Sequence, residues 1–142
     1  MIVDANVILQ AFFPDETQAQ AQAVVSEHIA GKLSLKAPAL LPYELTNAVW
    51  NAERRRRITS SQGDEILLAI LDLEIEIVTQ EWAEILPLAR LFDRSAYDAA
   101  YLALAQEMGE PLVTGDLRLY HAVHERLDWV TWIGDYPVGG SP

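Results

Sequence analysis

This chain contains no cysteine. Disulfide cross-links and thiolate metal centres are therefore excluded, and any metal chemistry must rest on oxygen or nitrogen ligands. Lysine is nearly missing as well: Lys32 and Lys36 are the only two, and the other eight bases are arginines. With 21 acids against 10 bases the formal net charge is −11, which excludes a general electrostatic nucleic-acid binder and leaves room only for a local basic contact. No apolar run reaches the roughly 18 residues that cross a bilayer. The N-terminus lacks a basic region and carries Asp4 and Asn6 inside its apolar start, unlike a signal peptide. Repeats, low-complexity tracts and linkers are also missing. What remains is 142 residues with 51% hydrophobic content, the profile of one compact domain with a sizeable core, expected in the cytoplasm and without a membrane partner.

Short β-type runs alternate with helical stretches along the chain. Strands are expected at 1–4, 33–37, 75–78, 112–114 and 129–133. Helices are expected at 6–13, from Pro14-Asp15-Glu16-Thr17 to the stop at Gly31, at 41–57, after a cap at Thr59 or Ser60, at 81–92 with a kink at Pro87, at 98–108, and at 117–127. The apolar run Ile66 to Leu71 reads as buried. Such alternation predicts an α/β fold, a mainly parallel sheet with helices on both faces. The domain is expected to span 1–135, with 136–142 as a mobile tail.

Four acids stand where buried-looking segments give way to helices: Asp4 in MIVDANVIL, Glu44 in LLPYELTNAVW, Asp98 in SAYDAAYLALA and Asp116 in PLVTGDLRLY. In an α/β fold such junctions can converge outside the carboxyl ends of the strands. Each pair of carboxylates brought to roughly 5 Å at an effective dielectric near 20 costs on the order of 3 kcal/mol, which a divalent cation offsets. Each acid also has a plainer reading. Asp4 (or Asn6) and Asp116 are suited to cap helices, Glu44 suits a helix dipole, and Asp98 follows Ser95 at the spacing of a capping box. Two features favour convergence. The helix from Asp98 is apolar nearly all round, so an acid at its mouth is partly desolvated. Asp4 and Asp116 directly follow β-type runs. With no cysteine, and no histidine beside any of the four acids, magnesium fits better than zinc.

VDANVIL, PYELTNAVW, SAYDAAYLALA and VTGDLRL together resemble the PIN-domain ribonucleases, and more narrowly the VapC-type toxins of toxin–antitoxin pairs. The resemblance spans essentially the whole chain. It implies a PIN fold with a central parallel sheet of about five strands, and a Mg²⁺- or Mn²⁺-dependent endoribonuclease leaving a 5′-phosphate and a 3′-hydroxyl. It places Asp4, Glu44, Asp98 and Asp116 as catalytic, metal-holding acids, with Asn6 and Thr114 as polar residues supporting them. RNA as substrate, a cognate antitoxin and a homodimer are further implications.

Arg54, Arg55, Arg56 and Arg57 form the one basic run, a candidate RNA or partner contact that equally suits the dipole of a helix end. His121 and His124 read as solvated or capping residues, and Trp50, Trp82, Trp129 and Trp132 as core or interface residues. A haloacid-dehalogenase-type phosphatase shares an early strand-end aspartate and a late Gly115-Asp116 pair. It needs a second acid where Asn6 stands and a late lysine, and no lysine follows Lys36; a phospho-receiver domain lacks the same lysine. A non-catalytic PIN-like interaction module is the other alternative.

Overall fold

The computed structural model describes residues 1–139. Five short strands, β1 (Ile2–Val3), β2 (Lys36–Pro38), β3 (Glu76–Val78), β4 (Leu112–Thr114) and β5 (Val130–Trp132), pair in the order β3-β2-β1-β4-β5, every pair parallel. Seven α-helices connect them among these residues: α1 (Ala5–Phe12), α2 (Ala19–Ile29), α3 (Leu40–Arg54), α4 (Ser60–Leu71), α5 (Ile85–Phe92), α6 (Ala96–Met108) and α7 (Leu117–Val123). Crossovers between parallel strands are right-handed. Because the chain steps from β1 to β3 in one direction and from β3 to β5 in the other, α1–α4 cover one face and α5–α7 the opposite face. The order of strands reverses between β1 and β4, the position at which open α/β sheets form a crevice. This is the expected α/β architecture.

The inner strands are buried on both faces, with Ile2, Val3, Leu112 and Val113 almost fully enclosed. Such strands read as continuous apolar runs, not alternating ones. Helix α6 has no polar face over Ala99–Ala105, and all seven of these residues are buried, packed on β1, β2, β4 and α5. Full burial of a leucine such as Leu102 or Leu104 contributes about 2 kcal/mol. Ser95 caps the start of α6 through the Asp98 N–H, and Gly109 ends it at φ +65, a left-handed turn that costs glycine nothing. Helix α4 opens with a complete capping box, Thr59 and Gln62 exchanging side-chain and backbone hydrogen bonds. His28, near the end of α2, ties three segments together. Its Nδ1 accepts from the Leu35 N–H at 3.0 Å, which leaves the ring proton on Nε2 to donate to the Leu73 carbonyl.

Several local expectations are corrected. No helix starts at Pro14: residues 14–16 form a turn and α2 begins at Ala19, because Asp15 is drawn away to a two-pronged hydrogen bond with Arg57. Helix α3 stops at Arg54 instead of Arg57, and Arg56 adopts φ +61 in the turn that follows. The run Ile66–Leu71 is buried only on one side: Ile66 and Ile70 are enclosed while Leu68 and Leu71 are exposed. Pro87 does not kink a helix. It is the third residue of α5, within the first turn, where the N–H has no intrahelical acceptor to lose. At the other end of the chain, the Tyr136 hydroxyl donates to the Glu27 carboxylate of α2; burial and that bond push it up to about 12. Residues 140–142 of the expected tail lie outside the described residues.

Candidate active site

The sheet delivers the acids to one edge. Asp4 follows β1 and Asp116 follows the Thr114 end of β4, so both stand at the carboxyl ends of neighbouring strands, either side of the crevice. Helix α6 leads back into β4 and so runs against the strands, which brings its first turn, with Asp98, to the same edge. Helix α3 leaves that edge after β2, and Glu44 is its fifth residue, one residue further in than the sequence suggested. All four line a single small pocket of about 50 Å³ together with Ala5, Asn6, Tyr101 and Leu119. Such a volume holds a few small ligands or waters and no more.

Asp4 is the deepest of the four, only 6% exposed. It caps α1 by accepting the Val7 N–H on Oδ1, which also accepts the Gly115 N–H at 3.1 Å. Its Oδ2 accepts the Thr114 hydroxyl, and Thr114 Oγ in turn accepts the Asp116 N–H at 3.0 Å. Thr114 thus supports both strand-end acids. Burial raises the Asp4 carboxyl to about 6; the bonds from Thr114, Gly115 and Val7 pull the other way, and the Asp116 charge adds to the rise.

The remaining acids are each held on one side. Glu44 Oε1 accepts the Tyr101 hydroxyl at 2.6 Å, across from α6 to α3. Burial raises the Glu44 carboxyl, the tyrosine bond lowers it, and the Asp98 charge raises it further. Burial and the bond to Glu44 likewise push the Tyr101 phenol upward. Asp98 Oδ2 receives Arg94 at 3.2 and 3.3 Å in an i,i+4 pair. Burial raises the Asp98 carboxyl against that guanidinium, with a contribution from Asp116. Asp116 caps α7, its Oδ1 accepting from the Arg118 and Leu119 N–H groups.

Among the described residues, therefore, Glu44, Asp98 and Asp116 each give one oxygen to the protein and keep the other without a partner. The charge of Asp116 is felt by Asp4 and Asp98, and that of Asp98 by Glu44. No three acidic or histidine side chains among the described residues come close enough to hold a metal ion by themselves. This donor set does not fit a closed cage of protein ligands. It fits a hard cation that takes one or two carboxylates and keeps several waters, as Mg²⁺ does.

Asn6 is exposed and lines this pocket, but it makes no side-chain hydrogen bond to Asp4 among the described residues. The arginine run does not act as a block. Arg57 pairs with Asp15 and Glu16 and lies over Phe13, whereas Arg54 lies over the Trp50 ring. His124 stacks on Tyr120 and His121 lies tilted against the same ring, and neither lines the acid pocket. Tyr101 and Arg94 were not singled out in the sequence. Their signal was positional: Tyr101 stands three residues after Asp98 on the same helix, and Arg94 four residues before it.

Gly115 closes the geometry. A Cβ there would lie 2.7 Å from Asn6 Cβ and 3.0 Å from both the Asn6 carbonyl carbon and the Val7 nitrogen. Only a residue without a side chain lets the β4 loop sit directly on the first turn of α1, and that contact sets Asp116 beside Asp4.

The chain is similar to known proteins over most of its length. A family model of the PIN domain matches residues 1–125. Ribonuclease VapC3 of Pyrobaculum aerophilum is 30% identical over 123 residues, covering 84% of this chain and 91% of the relative. Ribonuclease VapC9 of Mycobacterium tuberculosis is 29% identical over 131 residues, covering 84% of this chain and 87% of the relative. The crystal structure of PAE2754 from Pyrobaculum aerophilum superposes with a TM-score of 0.72 over 94% of this chain and 83% of that one, at 22% identity, a likeness of fold. With a family model covering most of its length and relatives matched almost end to end, the chain belongs to the PIN-domain family, in its VapC branch.

Proposed function

We propose that the protein is an endoribonuclease dependent on Mg²⁺ or Mn²⁺ and the toxin of a toxin–antitoxin pair, acting in the cytoplasm. The observation that carries this reading is the single pocket that gathers Asp4, Glu44, Asp98 and Asp116 from four separate segments, the last three each keeping a partner-free oxygen. The relatives named ribonuclease supply the substrate class. In this reading the cation would be held directly by one or two carboxylates from among Asp4, Asp98 and Asp116 and reach the others through its waters, with Glu44 on the side of α3. When bound, a divalent cation supplies water of lowered pKa and neutralises charge that develops on a phosphate.

The chain's own residues do the rest. Asp4, fixed by three donors, is a rigid acceptor. Arg94 holds Asp98 in place while leaving its second oxygen free. Tyr101 orients Glu44, whose free oxygen can accept a proton from water entering the pocket. Its raised affinity for protons suits that role. Thr114 couples the positions of Asp4 and Asp116 through one hydroxyl.

Partner binding is the second half of the proposal. Tyr43, Trp50, Leu68, Leu71 and Ile77 are exposed large apolar residues on or beside α3, α4 and β3. An apolar cavity of about 210 Å³ runs between α3, α4 and the β3 edge. Patches of this kind are the usual footprint of protein partners, here a second copy or the antitoxin. Among the described residues no helix is long and apolar enough to cross a membrane. The test is cleavage of defined RNAs with Mg²⁺, with EDTA, and by Asp98→Asn. Cleavage should require the cation and be lost in the variant while its circular dichroism stays native. Undiminished cation-dependent cleavage by Asp98→Asn would remove that residue from the mechanism.

A further inference from the structure

The acid pocket is too small to hold a nucleotide, so an RNA chain must find its grip next to it. Asn6 lines two cavities at once: the acid pocket, and a groove of about 180 Å³ between α1 and α3. A cavity of about 150 Å³ accommodates a benzene ring, so this groove has the size of one heterocycle. It is lined by the apolar Leu9, Phe13, Ala48 and Ala52 and by the amides of Asn6, Gln10 and Asn51. The guanidinium of Arg55 and the ion-paired Glu16 and Arg57 line it as well.

Of the four arginines in the basic run, Arg55 and Arg57 line this groove, and Arg57 is already committed to Asp15 and Glu16. Arg55 is exposed and has no ion-pair partner among the described residues. In a chain of net charge −11, such a group at the far end of a groove that begins beside the acid pocket is where a phosphate gains most. Gln10 adds a second sign of an unfilled site. Its amide nitrogen faces the Gly115 carbonyl at a long 3.5 Å, which turns Oε1 away from it, and Oε1 is buried with no hydrogen-bond donor. A lone buried acceptor is costly, and a small rotation that presents it to an incoming N–H would relieve that cost.

Resting on the ribonuclease reading above, we propose that the α1–α3 groove seats a nucleotide flanking the scissile phosphate, with Arg55 at the groove's far end on a backbone phosphate beyond it and the Asn6, Gln10 and Asn51 amides reading the base. Single-stranded bases are recognised by hydrogen bonds along their edges, and amides that both donate and accept suit this. The groove is then the specificity-determining part of the site, and the acid pocket is indifferent to sequence.

The experiment compares the wild type with Arg55→Ala, Asn51→Ala and a charge control on α5, Arg90→Ala, all at exposed or half-buried positions. Steady-state cleavage is measured on a panel of short single-stranded RNAs with Mg²⁺. Affinity for a labelled mixed-sequence RNA is measured in parallel at several salt concentrations. Arg55→Ala should raise KM about tenfold with kcat unchanged, the scale of one lost charged hydrogen bond. It should also lower the slope of log affinity against log salt by about 0.7, the share of one phosphate on a single strand. Asn51→Ala should shrink the ratio between the best and worst cleaved sequences about tenfold, and Arg90→Ala should match the wild type. If the wild type binds and cleaves RNA but the groove variants keep its KM, salt slope and sequence preference, this inference is overturned and the ribonuclease reading stands. If the wild type neither binds nor cleaves any RNA, the ribonuclease reading falls and takes this one with it.

Discussion

Asp4→Asn should leave the cation-free protein more stable, although it removes a central acid of the site. Burial holds the Asp4 carboxyl at about 6 in the fold, against 3.8 in an ordinary environment. Two units at about 1.4 kcal/mol each make ionisation of Asp4 cost the fold about 3 kcal/mol. Because the folded value is the higher one, the proton stabilises the fold. Its contribution is complete below pH 3.8, falls as pH rises, and is gone above about 6. At pH 8 in EDTA the wild type therefore bears the whole cost. Asparagine caps a helix as well as aspartate does, so the bond to the Val7 N–H survives. Its amide nitrogen meets the Thr114 hydroxyl instead of an acceptor oxygen, which loses about 1 kcal/mol. The net gain is about 2 kcal/mol, or about 6 °C in Tm for a domain of this size. At pH 5 the wild type recovers about 1.4 kcal/mol by binding its proton, and most of the gap closes. Saturating Mg²⁺ reverses the order, since a ligand at a hundred times its Kd adds about 2.7 kcal/mol to the wild type alone. Thermal unfolding at pH 5 and pH 8, with EDTA and with Mg²⁺, measures every step. A variant that melts below the wild type at pH 8 in EDTA, or a gap independent of pH, would refute the reasoning.

Three further expectations follow from the same contacts. Cleavage should rise as pH increases through about 6, as Asp4 loses the proton that competes with the cation; a flat rate from pH 5 to 7 would count against Asp4 as a ligand. Gly115→Ala should cost about 1–3 kcal/mol in urea unfolding, because its Cβ lands on the Asn6 backbone, and should cut activity by parting Asp116 from Asp4. Tyr101→Phe takes the donor from Glu44 and should cost about 1 kcal/mol at pH 8, shrinking in acid where Glu44 is protonated; a loss equal at both pH values would mean that packing, not the hydrogen bond, is responsible.

The frame of the molecule was legible because its signals are local. Gly31 and Gly109 at helix ends, the Thr59 capping box and the buried runs at 2–3 and 112–114 each act within a few residues. The four acids were legible for the same reason, since strand ends and helix starts can be read without knowing the partners. What escaped depends on residues distant in the chain. Asp15 leaves its expected helix for Arg57, 42 residues away, and Leu68 and Leu71 are exposed while Ile66 and Ile70 of the same apolar run are buried. Tyr101 is a core tyrosine by its helix pattern; only α3 packing 57 residues away turns its hydroxyl into the partner of Glu44. Likewise the arginine run looked uniform, and the turn at Arg56 sends its members to different neighbours.

The strand order has one more consequence. Everything up to β3 builds one side of the sheet with β1, and everything after builds the other, so a cut in the exposed 81–84 segment, where Trp82 is 85% exposed, separates the chain into two halves that share one core. One half carries Asp4 and Glu44, the other Asp98 and Asp116, and they meet along the β1–β4 pair, where α6 lies on β1 and β2, and through the Tyr101–Glu44 and Tyr136–Glu27 bonds. Neither fragment owns the pocket. Produced apart they should be inert, and reassembled across that shared surface they should recover it, which makes the molecule a natural candidate for fragment complementation.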